Sequence, residues 1–184
     1  DGGGQFDPAV FRPSNGTWYA RLSSGGPDMS IWFGTASDVP VPGDYDGDGK
    51  FDPAVFRPSN GTWYARLSRE GVDLVSHFGE STDRPVQADY DADGKTDVAV
   101  FRPSTGRWYA RLSSNASLPD MDIWFGTSTD RNVRGDYDGD GKADPAVFRP
   151  SNGKWYIRPS GGGSDIVEWF GESTDRIPYQ IEGI

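Results

Sequence analysis

Apolar and polar residues alternate along the chain with a period of two, which is typical of half-buried β-strands. In the runs 54–57 (AVFR) and 62–67 (TWYARL), successive residues fall on opposite faces of a strand. An Asn60-Gly61 pair separates the two runs and predicts a β-hairpin with a type I′ turn. No segment carries the stripe of an amphipathic helix. The sequence therefore predicts an all-β fold.

This two-run segment recurs four times along the chain. The motif DPAVFR or DVAVFR begins at Asp7, Asp52, Asp97 and Asp144, at spacings of 45, 45 and 47 residues. Each copy continues with a Trp-Tyr pair and a third strand that ends at a Phe-Gly pair, and a fourth candidate strand precedes each Asp-rich loop. Four short strands in about 46 residues are typical of one blade of a β-propeller. The repeats cover approximately residues 1–43, 44–88, 89–135 and 136–180.

The repeats predict a single domain over residues 1–184, a β-propeller of four blades with four antiparallel strands each. The first repeat lacks the strand that should precede its loop, and residues 176–184 follow the fourth repeat where that strand is expected. They are predicted to close the ring as the missing strand of the first blade, which removes an exposed sheet edge. A homodimer of eight blades and a piece of a larger propeller stay open as alternatives.

The composition excludes several classes of protein. The chain of 184 residues has a formal net charge of -10, a single histidine and no cysteine. Acidic surfaces repel nucleic acid, so no nucleic-acid partner is expected. No run of about 18 apolar residues occurs, so no membrane insertion is expected either. Without cysteine, disulfides and thiolate catalysis are excluded.

Three loops combine aspartate and glycine in the same order: DYDGDGKFD at 44–52, DYDADGKTD at 89–97 and DYDGDGKAD at 136–144. Four carboxylates in nine residues repel one another unless a cation lies between them, and oxygen ligands on a flexible loop suit Ca²⁺. Valine stands at loop position 12, where an EF-hand needs glutamate. The predicted ligands are the aspartate carboxylates and one lysine carbonyl of each loop: Asp44, Asp46, Asp48, Asp52 and Lys50; Asp89, Asp91, Asp93, Asp97 and Lys95; Asp136, Asp138, Asp140, Asp144 and Lys142.

The N-terminal copy of the loop is degenerate. It reads DGGGQFD at 1–7 and keeps only Asp1 and Asp7 of the four aspartates. These two residues are included as candidate ligands of a fourth, poorer site.

Units of the form GDYDGDGKxDPAVFRPSNGxWY with a following WFG resemble the FG-GAP or VCBS-type repeats of calcium-binding β-propellers. These repeats are related in loop design to the propeller of integrin α chains. The resemblance extends from Asp1 to about Arg176. It implies that each Asp-rich loop joins the first two strands of a blade and holds Ca²⁺. It also implies a secreted or cell-surface protein that acts in adhesion or binds protein or sugar.

Catalysis is not expected, because an active site needs a few unique groups with unlike pKa values and almost every polar landmark here recurs in each repeat. Recurring pairs such as Asp38 and Arg57 are interpreted as blade-to-blade pairs or turn anchors, and the recurring Trp63 position as core. The third-strand residues Trp32, Trp124 and Trp169 are instead predicted to bind a ligand by stacking on sugar rings.

The sequence thus favours a non-enzymatic, calcium-binding propeller that serves as a binding or adhesion module for a glycan or protein ligand. The alternative is a structural or accessory propeller, appended to a secreted enzyme or adhesin, with no ligand of its own. The segments between the second and third strands differ from repeat to repeat and distinguish the two alternatives. A binding module would recognise its ligand through such variable segments, whereas an accessory propeller has no need of them.

Overall fold

The structure is a computed structural model that describes residues 7–69, 71–114 and 121–177. These residues form fifteen strands in four sheets. No helix within the described ranges is long and apolar enough to cross a membrane. The fold is an all-β propeller of four blades, as the sequence predicts.

Every blade is a meander in which neighbouring strands pair antiparallel. The first blade contains β1 (Ala9–Arg12), β2 (Thr17–Ala20) and β3 (Met29–Trp32). The second contains β4 (Val39–Pro40), β5 (Ala54–Arg57), β6 (Thr62–Arg66) and β7 (Asp73–His77). The third contains β8 (Arg84–Pro85), β9 (Val98–Arg102), β10 (Arg107–Arg111) and β11 (Met121–Trp124). The fourth contains β12 (Arg131–Gly135), β13 (Asp144–Arg149), β14 (Lys154–Ile157) and β15 (Ile166–Trp169).

The first blade shows three strands within the described residues. The strand predicted to complete it spans 176–184, of which 178–184 lie outside the described residues. Arg176 and Ile177 belong to no strand. The closing strand therefore stays a prediction.

The chain divides into two compact units. Among the described residues, one unit comprises those up to Ser81 together with Gly94–Thr96, and the other comprises Thr82–Asp93 and those from Asp97 onward. The first unit holds the first and second blades, and the second unit holds the third and fourth blades. Each unit is described by itself below.

The hairpin prediction is confirmed, but the type I′ turn is wrong. Arg57 pairs with Thr62, which leaves a loop of four residues, and the Asn60 N–H donates to the Arg57 carbonyl at 3.2 Å. Only Gly61 in this loop has a positive φ, 62°, whereas a type I′ turn needs two such residues. Pro58 accounts for the difference, because proline favours the second position of a type I turn.

The innermost strands are shorter than the sequence predicts wherever proline occurs in them. The runs 39–43 and 84–88 alternate, yet β4 ends at Pro40 and β8 ends at Pro85. Single backbone bonds continue beyond these prolines, since the Val41 N–H donates to the Ala54 carbonyl and the Val86 N–H donates to the Ala99 carbonyl, each at 2.8 Å. In the fourth blade Asn132 takes this position, and β12 continues to Gly135.

The core of each blade contains a phenylalanine and a tryptophan from the two strands of its hairpin. In the second blade Phe56 and Trp63 are fully buried with ring centroids 5.2 Å apart, and the Trp63 indole N–H donates to the Phe78 carbonyl at 2.8 Å. Phe101 and Trp108 form the same buried pair in the third blade. The expectation that this tryptophan row is core is confirmed for the first three blades, whereas Trp155 of the fourth blade is half-buried.

Buried ion pairs anchor the connections between blades. Asp38 lies in the turn between β3 and β4, and its carboxylate accepts two hydrogen bonds from the Arg57 guanidinium, at 2.8 and 2.9 Å. The Thr35 N–H caps the same carboxylate at 2.8 Å. Asp83 with Arg102 and Asp130 with Arg149 repeat the pair. The recurring charges are therefore structural, as the sequence indicates.

Candidate functional site

Each complete Asp-rich loop joins the first two strands of its blade. In the second blade, the loop 44–52 is closed at its base by an antiparallel bridge between Gly43 and Asp52. The ring of Tyr45 is buried beneath the loop, and its hydroxyl donates to the Val41 carbonyl at 2.8 Å. Tyr90 makes the same contact with Val86 at 2.6 Å in the third blade. The loops of these two blades are thus held in place both at their base and by the tyrosine at their second position.

Two residues in each loop adopt the left-handed conformation that lets the chain curl around its first aspartate. Gly47 and Gly49 have φ values of 74° and 82°. Their N–H groups donate to the two carboxylate oxygens of Asp44, at 2.7 and 2.8 Å. In the third blade Ala92 takes the place of Gly47 and still has a φ of 63°. Tight curling brings the alternate side chains of the loop to one side.

The curled loops gather carboxylates into three groups. Within each group, one oxygen from each member lies within 4.8 Å of the others. In the second blade the members are the aspartates at loop positions 1, 3 and 5, whereas the last aspartate of the loop replaces position 5 in the other two blades. The groups are Asp44, Asp46 and Asp48; Asp89, Asp91 and Asp97; Asp136, Asp138 and Asp144.

Of the aspartates predicted as ligands in the three complete loops, Asp52, Asp93 and Asp140 lie outside these groups. Asp52 is buried, and both of its oxygens are taken by backbone N–H groups, from Tyr45 at 3.0 Å and from Ser68 at 2.8 Å. Its position therefore ties the loop to the turn after β6. We call Asp52, Asp97 and Asp144 the loop-closing aspartates, because the latter two make the same pair of contacts.

Sequence reasoning missed the serines that hold these loops from outside. Ser68 donates its backbone N–H to Asp52 and its hydroxyl to Asp48, the latter at 2.8 Å. Ser113 and Ser160 make the equivalent contacts with the loops of their own blades. The signal was present, since a serine follows each loop-closing aspartate by sixteen residues.

Burial and the repulsion of neighbouring carboxylates raise the pKa values of two loop-closing aspartates, Asp52 and Asp97. Desolvation, with the nearby charges of Asp46 and Asp44, raises the pKa of Asp52 to about 6. Desolvation and the charge of Asp91 raise the pKa of Asp97 to about 7. The backbone N–H groups of Gly141 and Gly139 act oppositely on Asp136, whose pKa they lower. A cation beside the raised groups would favour their ionised form.

The loop lysines approach the carboxylates with their N–H and ammonium groups. The Lys50 N–H donates to Asp48 at 2.9 Å, and its ammonium lies 3.5 Å from the same carboxylate. The Lys142 N–H donates to Asp140 in the same way. The ligand role assigned to the carbonyls of Lys50, Lys95 and Lys142 stays a prediction.

The first, degenerate loop is described only in part. Asp1 lies outside the described residues. Asp7 accepts the Ser23 N–H at 2.6 Å, which is the contact that a loop-closing aspartate makes with its serine. Asp7 thus matches the structural position of Asp52, and a metal role for Asp1 and Asp7 stays a prediction.

The predicted ligand-binding tryptophans lie at the outer edge of their blades. Trp32, Trp124 and Trp169 each end the outermost strand and are 65 to 80% exposed. Their cross-strand neighbours are polar: Thr17, Arg107 and Lys154. His77 takes this position in the second blade, beside Thr62. Each of the three exposed indoles therefore has its own polar neighbour on the adjacent strand.

These features define a class, the β-propeller with an acidic loop between the first and second strands of a blade. The sequence model of the FG-GAP-like repeat matches residues 89–147, which include two complete loops and the strands between them. Residues 89–147 thus match the FG-GAP-like repeat, and they lie within a β-propeller of four blades. No curated protein and no solved structure matches the chain.

The class of β-propeller limits the functions that are expected of the protein. β-Propellers of this type are typically non-catalytic, and FG-GAP repeats occur in extracellular proteins. The repeats often bind Ca²⁺, and the described residues of this chain include three groups of clustered carboxylates. The fold thus fits a binding or accessory module.

Proposed function

We propose that the protein is a calcium-stabilised, non-enzymatic binding module of the secreted or cell-surface kind. The observation that carries the proposal is the gathering of three carboxylates within 4.8 Å in each of three loops. Such groups repel one another strongly when ionised, and a divalent cation turns this repulsion into attraction. Extracellular fluid offers millimolar Ca²⁺, which suits loops of moderate affinity.

The donor set fits Ca²⁺. Every grouped side chain offers a carboxylate oxygen, and neither cysteine nor histidine lies among the members of the three groups. Hard oxygen donors select Ca²⁺ or Mg²⁺ over softer metals, and a loop that supplies several carboxylates favours the larger ion. Bound Ca²⁺ would supply charge neutralisation there and would hold each loop against the serine that follows β6, β10 or β14.

Metal binding can be tested with Tb³⁺, which replaces Ca²⁺ and luminesces when a nearby aromatic ring is excited. Tyr45, Tyr90 and Tyr137 lie inside the loops and supply that ring. We expect Tb³⁺ luminescence that Ca²⁺ displaces more effectively than Mg²⁺, and a melting temperature that rises with Ca²⁺ concentration.

Loop variants make this test specific. Asp46→Asn, Asp91→Asn and Asp138→Asn each remove one grouped carboxylate and should each lower the number of bound ions by one in calorimetric titration. Asp73→Asn is the matched control, because Asp73 is an exposed partner of Arg66 outside the loops. Unchanged stoichiometry in all three loop variants would overturn the metal assignment.

We further propose that the exposed indoles bind glycans. Trp32, Trp124 and Trp169 offer flat apolar surfaces, and a guanidinium or an ammonium group lies on the strand beside Trp124 and Trp169. Sugar rings stack on such surfaces and hydrogen-bond to such neighbours. Several equivalent sites on one molecule give avidity to a repetitive glycan.

A glycan array tests this second proposal. We expect the wild-type protein to bind a set of glycans, and the triple variant Trp32→Ala, Trp124→Ala, Trp169→Ala to lose that set. Val75→Ala is the matched control, since Val75 is equally exposed on the outer strand β7. An array without hits would favour the accessory module.

A further inference from the structure

The Asp-rich loops of the third and fourth blades are joined by a backbone hydrogen bond. The Ala143 N–H donates to the Asp89 carbonyl at 2.7 Å. Ala143 is the eighth residue of the loop 136–144, whereas Asp89 is the first residue of the loop 89–97. The bond therefore connects the two loops of the second unit directly through the main chain.

Both ends of this bond lie beside grouped carboxylates. Asp89 is itself a member of one group, together with Asp91 and Asp97. Ala143 directly precedes Asp144, which belongs to the group of the fourth blade. The bond thus joins the main chain of one carboxylate group to the main chain of the other.

Side-chain packing holds the same two loops together. Ala143 is 5% exposed and belongs to the hydrophobic core cluster that also contains Tyr90 from the loop 89–97. Gly141 lies against Ala92, since a Cβ built on the glycine would lie 3.8 Å from the alanine Cβ. Because the packing is close, neither loop can shift its main chain here without a response from the other.

The same bond occurs in the first unit, which includes Gly94–Thr96. The Thr96 N–H donates to the Asp44 carbonyl at 2.6 Å. The Thr96 side chain packs on Gly43 so closely that a Cβ built on this glycine would lie 2.7 Å from the threonine Cγ2. The eighth loop residue makes the bond in both units, so the bond is a property of the repeat.

We propose that the loops 89–97 and 136–144 bind Ca²⁺ cooperatively, so that an ion in one loop raises the affinity of the other. This inference rests on the proposed function, because it needs both loops to hold the ion. An ion in the loop 89–97 orders the main chain at Asp89 and thereby fixes the acceptor of the Ala143 N–H. The neighbouring loop then loses less conformational entropy when its own ion binds.

Electrostatics alone would change the affinity in the opposite direction. Asp91→Asn removes one negative charge from the loop 89–97, whereas bound Ca²⁺ adds two positive charges to the wild-type loop. The empty variant loop is therefore more negative than the filled wild-type loop and would attract Ca²⁺ to its neighbour more strongly. A weaker neighbouring site in this variant would thus indicate coupling through the main chain.

NMR titration of the full chain with Ca²⁺ tests the coupling loop by loop. The glycine at the sixth position supplies one amide signal for each loop, Gly94 and Gly141. In Asp91→Asn the Ca²⁺ midpoint of the Gly141 amide should rise by about fivefold or more. Asp138→Asn should raise the midpoint of the Gly94 amide by the same factor, because coupling between two binding sites is reciprocal.

The control for these titrations is Asp73→Asn, which changes an exposed partner of Arg66 outside the loops and should leave both midpoints unchanged. A wild-type protein in which neither glycine amide titrates would overturn the proposed function and the coupling with it. If both amides titrate but the Gly141 midpoint stays constant or falls in Asp91→Asn, the coupling alone is overturned.

Two further measurements examine the hydrogen bond itself. Ala143→Pro removes the donor, so adding Asp91→Asn to this variant should no longer shift the Gly141 midpoint. Hydrogen exchange covers the case in which Ala143→Pro does not fold. In Asp138→Asn, Ca²⁺ bound to the loop 89–97 should still slow exchange of the Ala143 amide. An exchange rate that Ca²⁺ leaves unchanged in this variant would overturn the coupling.

Discussion

The Asp-rich loops and the outer strand ends differ in how completely the fold determines them. Every aspartate of the loop 44–52 accepts hydrogen bonds from backbone or serine groups, and the same contacts recur in the third and fourth blades. The outer position changes from tryptophan to histidine in the second blade, and its side chain stays exposed. The loops are therefore part of the architecture, whereas the fold does not determine which side chain occupies the outer position.

Among changes to the Asp-rich loops, the largest effect is expected from removing a loop-closing aspartate. In Asp97→Ala the buried N–H of Tyr90 and the part-buried N–H of Ser113 lose their acceptor, and an unsatisfied buried donor costs about 1–3 kcal/mol. We expect the free energy of unfolding to fall by about 2–4 kcal/mol. Denaturant unfolding measures it, with Asp73→Ala as an exposed control that should cost less than about 1 kcal/mol. Equal losses would mean that the loops are not structural.

Proton linkage is expected to give the next largest effect. Without Ca²⁺, burial raises the pKa of Asp97 to about 7 and of Asp52 to about 6, above the usual value near 3.9. A raised folded-state pKa stabilises the protein at low pH and loses that contribution as the pH rises through the folded value. The chelated protein should therefore lose melting temperature between pH 5 and pH 8.

Calcium should reverse this trend, because the ion must displace the same protons. We expect the Ca²⁺-induced rise in melting temperature to grow from pH 5 to pH 8, as measured by differential scanning fluorimetry with chelator or Ca²⁺. Asp97→Asn cannot titrate and should weaken the pH dependence. The low pKa values of Asp38 and Asp130, which their arginines maintain against desolvation, keep the buried ion pairs out of this pH window. A calcium effect of constant size would contradict the coupling.

Both the loops and the hairpins could be read from the sequence because they depend on short-range patterns. The hairpin between β5 and β6 follows from alternation and a turn signal, but its turn type depends on Pro58 as well as Asn60-Gly61. The carboxylate groups follow from the order of aspartates within one loop. The serine contacts do not, because Ser68 reaches Asp48 and Asp52 only once β5 and β6 have paired.

A serine hydroxyl should contribute less than the aspartate that receives it. In Ser113→Ala the hydroxyl bond to Asp93 is lost while the backbone N–H bond to Asp97 remains. We expect a loss of about 1 kcal/mol in the free energy of unfolding and a weaker affinity for Ca²⁺. Ser104→Ala, at an exposed turn, is the control and should change stability by less than about 0.5 kcal/mol. If Ser113→Ala also lost less than about 0.5 kcal/mol, the serine hydroxyls would not contribute to holding the loops in place.

The smallest stability effect is expected at the tryptophans that are proposed to bind glycans. Trp124→Ala removes an indole that is largely exposed, so the free energy of unfolding should change by less than about 0.5 kcal/mol. Trp108→Ala removes a buried indole of the same blade and its bond to the Phe125 carbonyl, and it should cost about 3–5 kcal/mol. Denaturant unfolding of both variants compares the two tryptophan rows directly. A large loss in Trp124→Ala would mean that the outer position belongs to the architecture and is not free to serve a ligand.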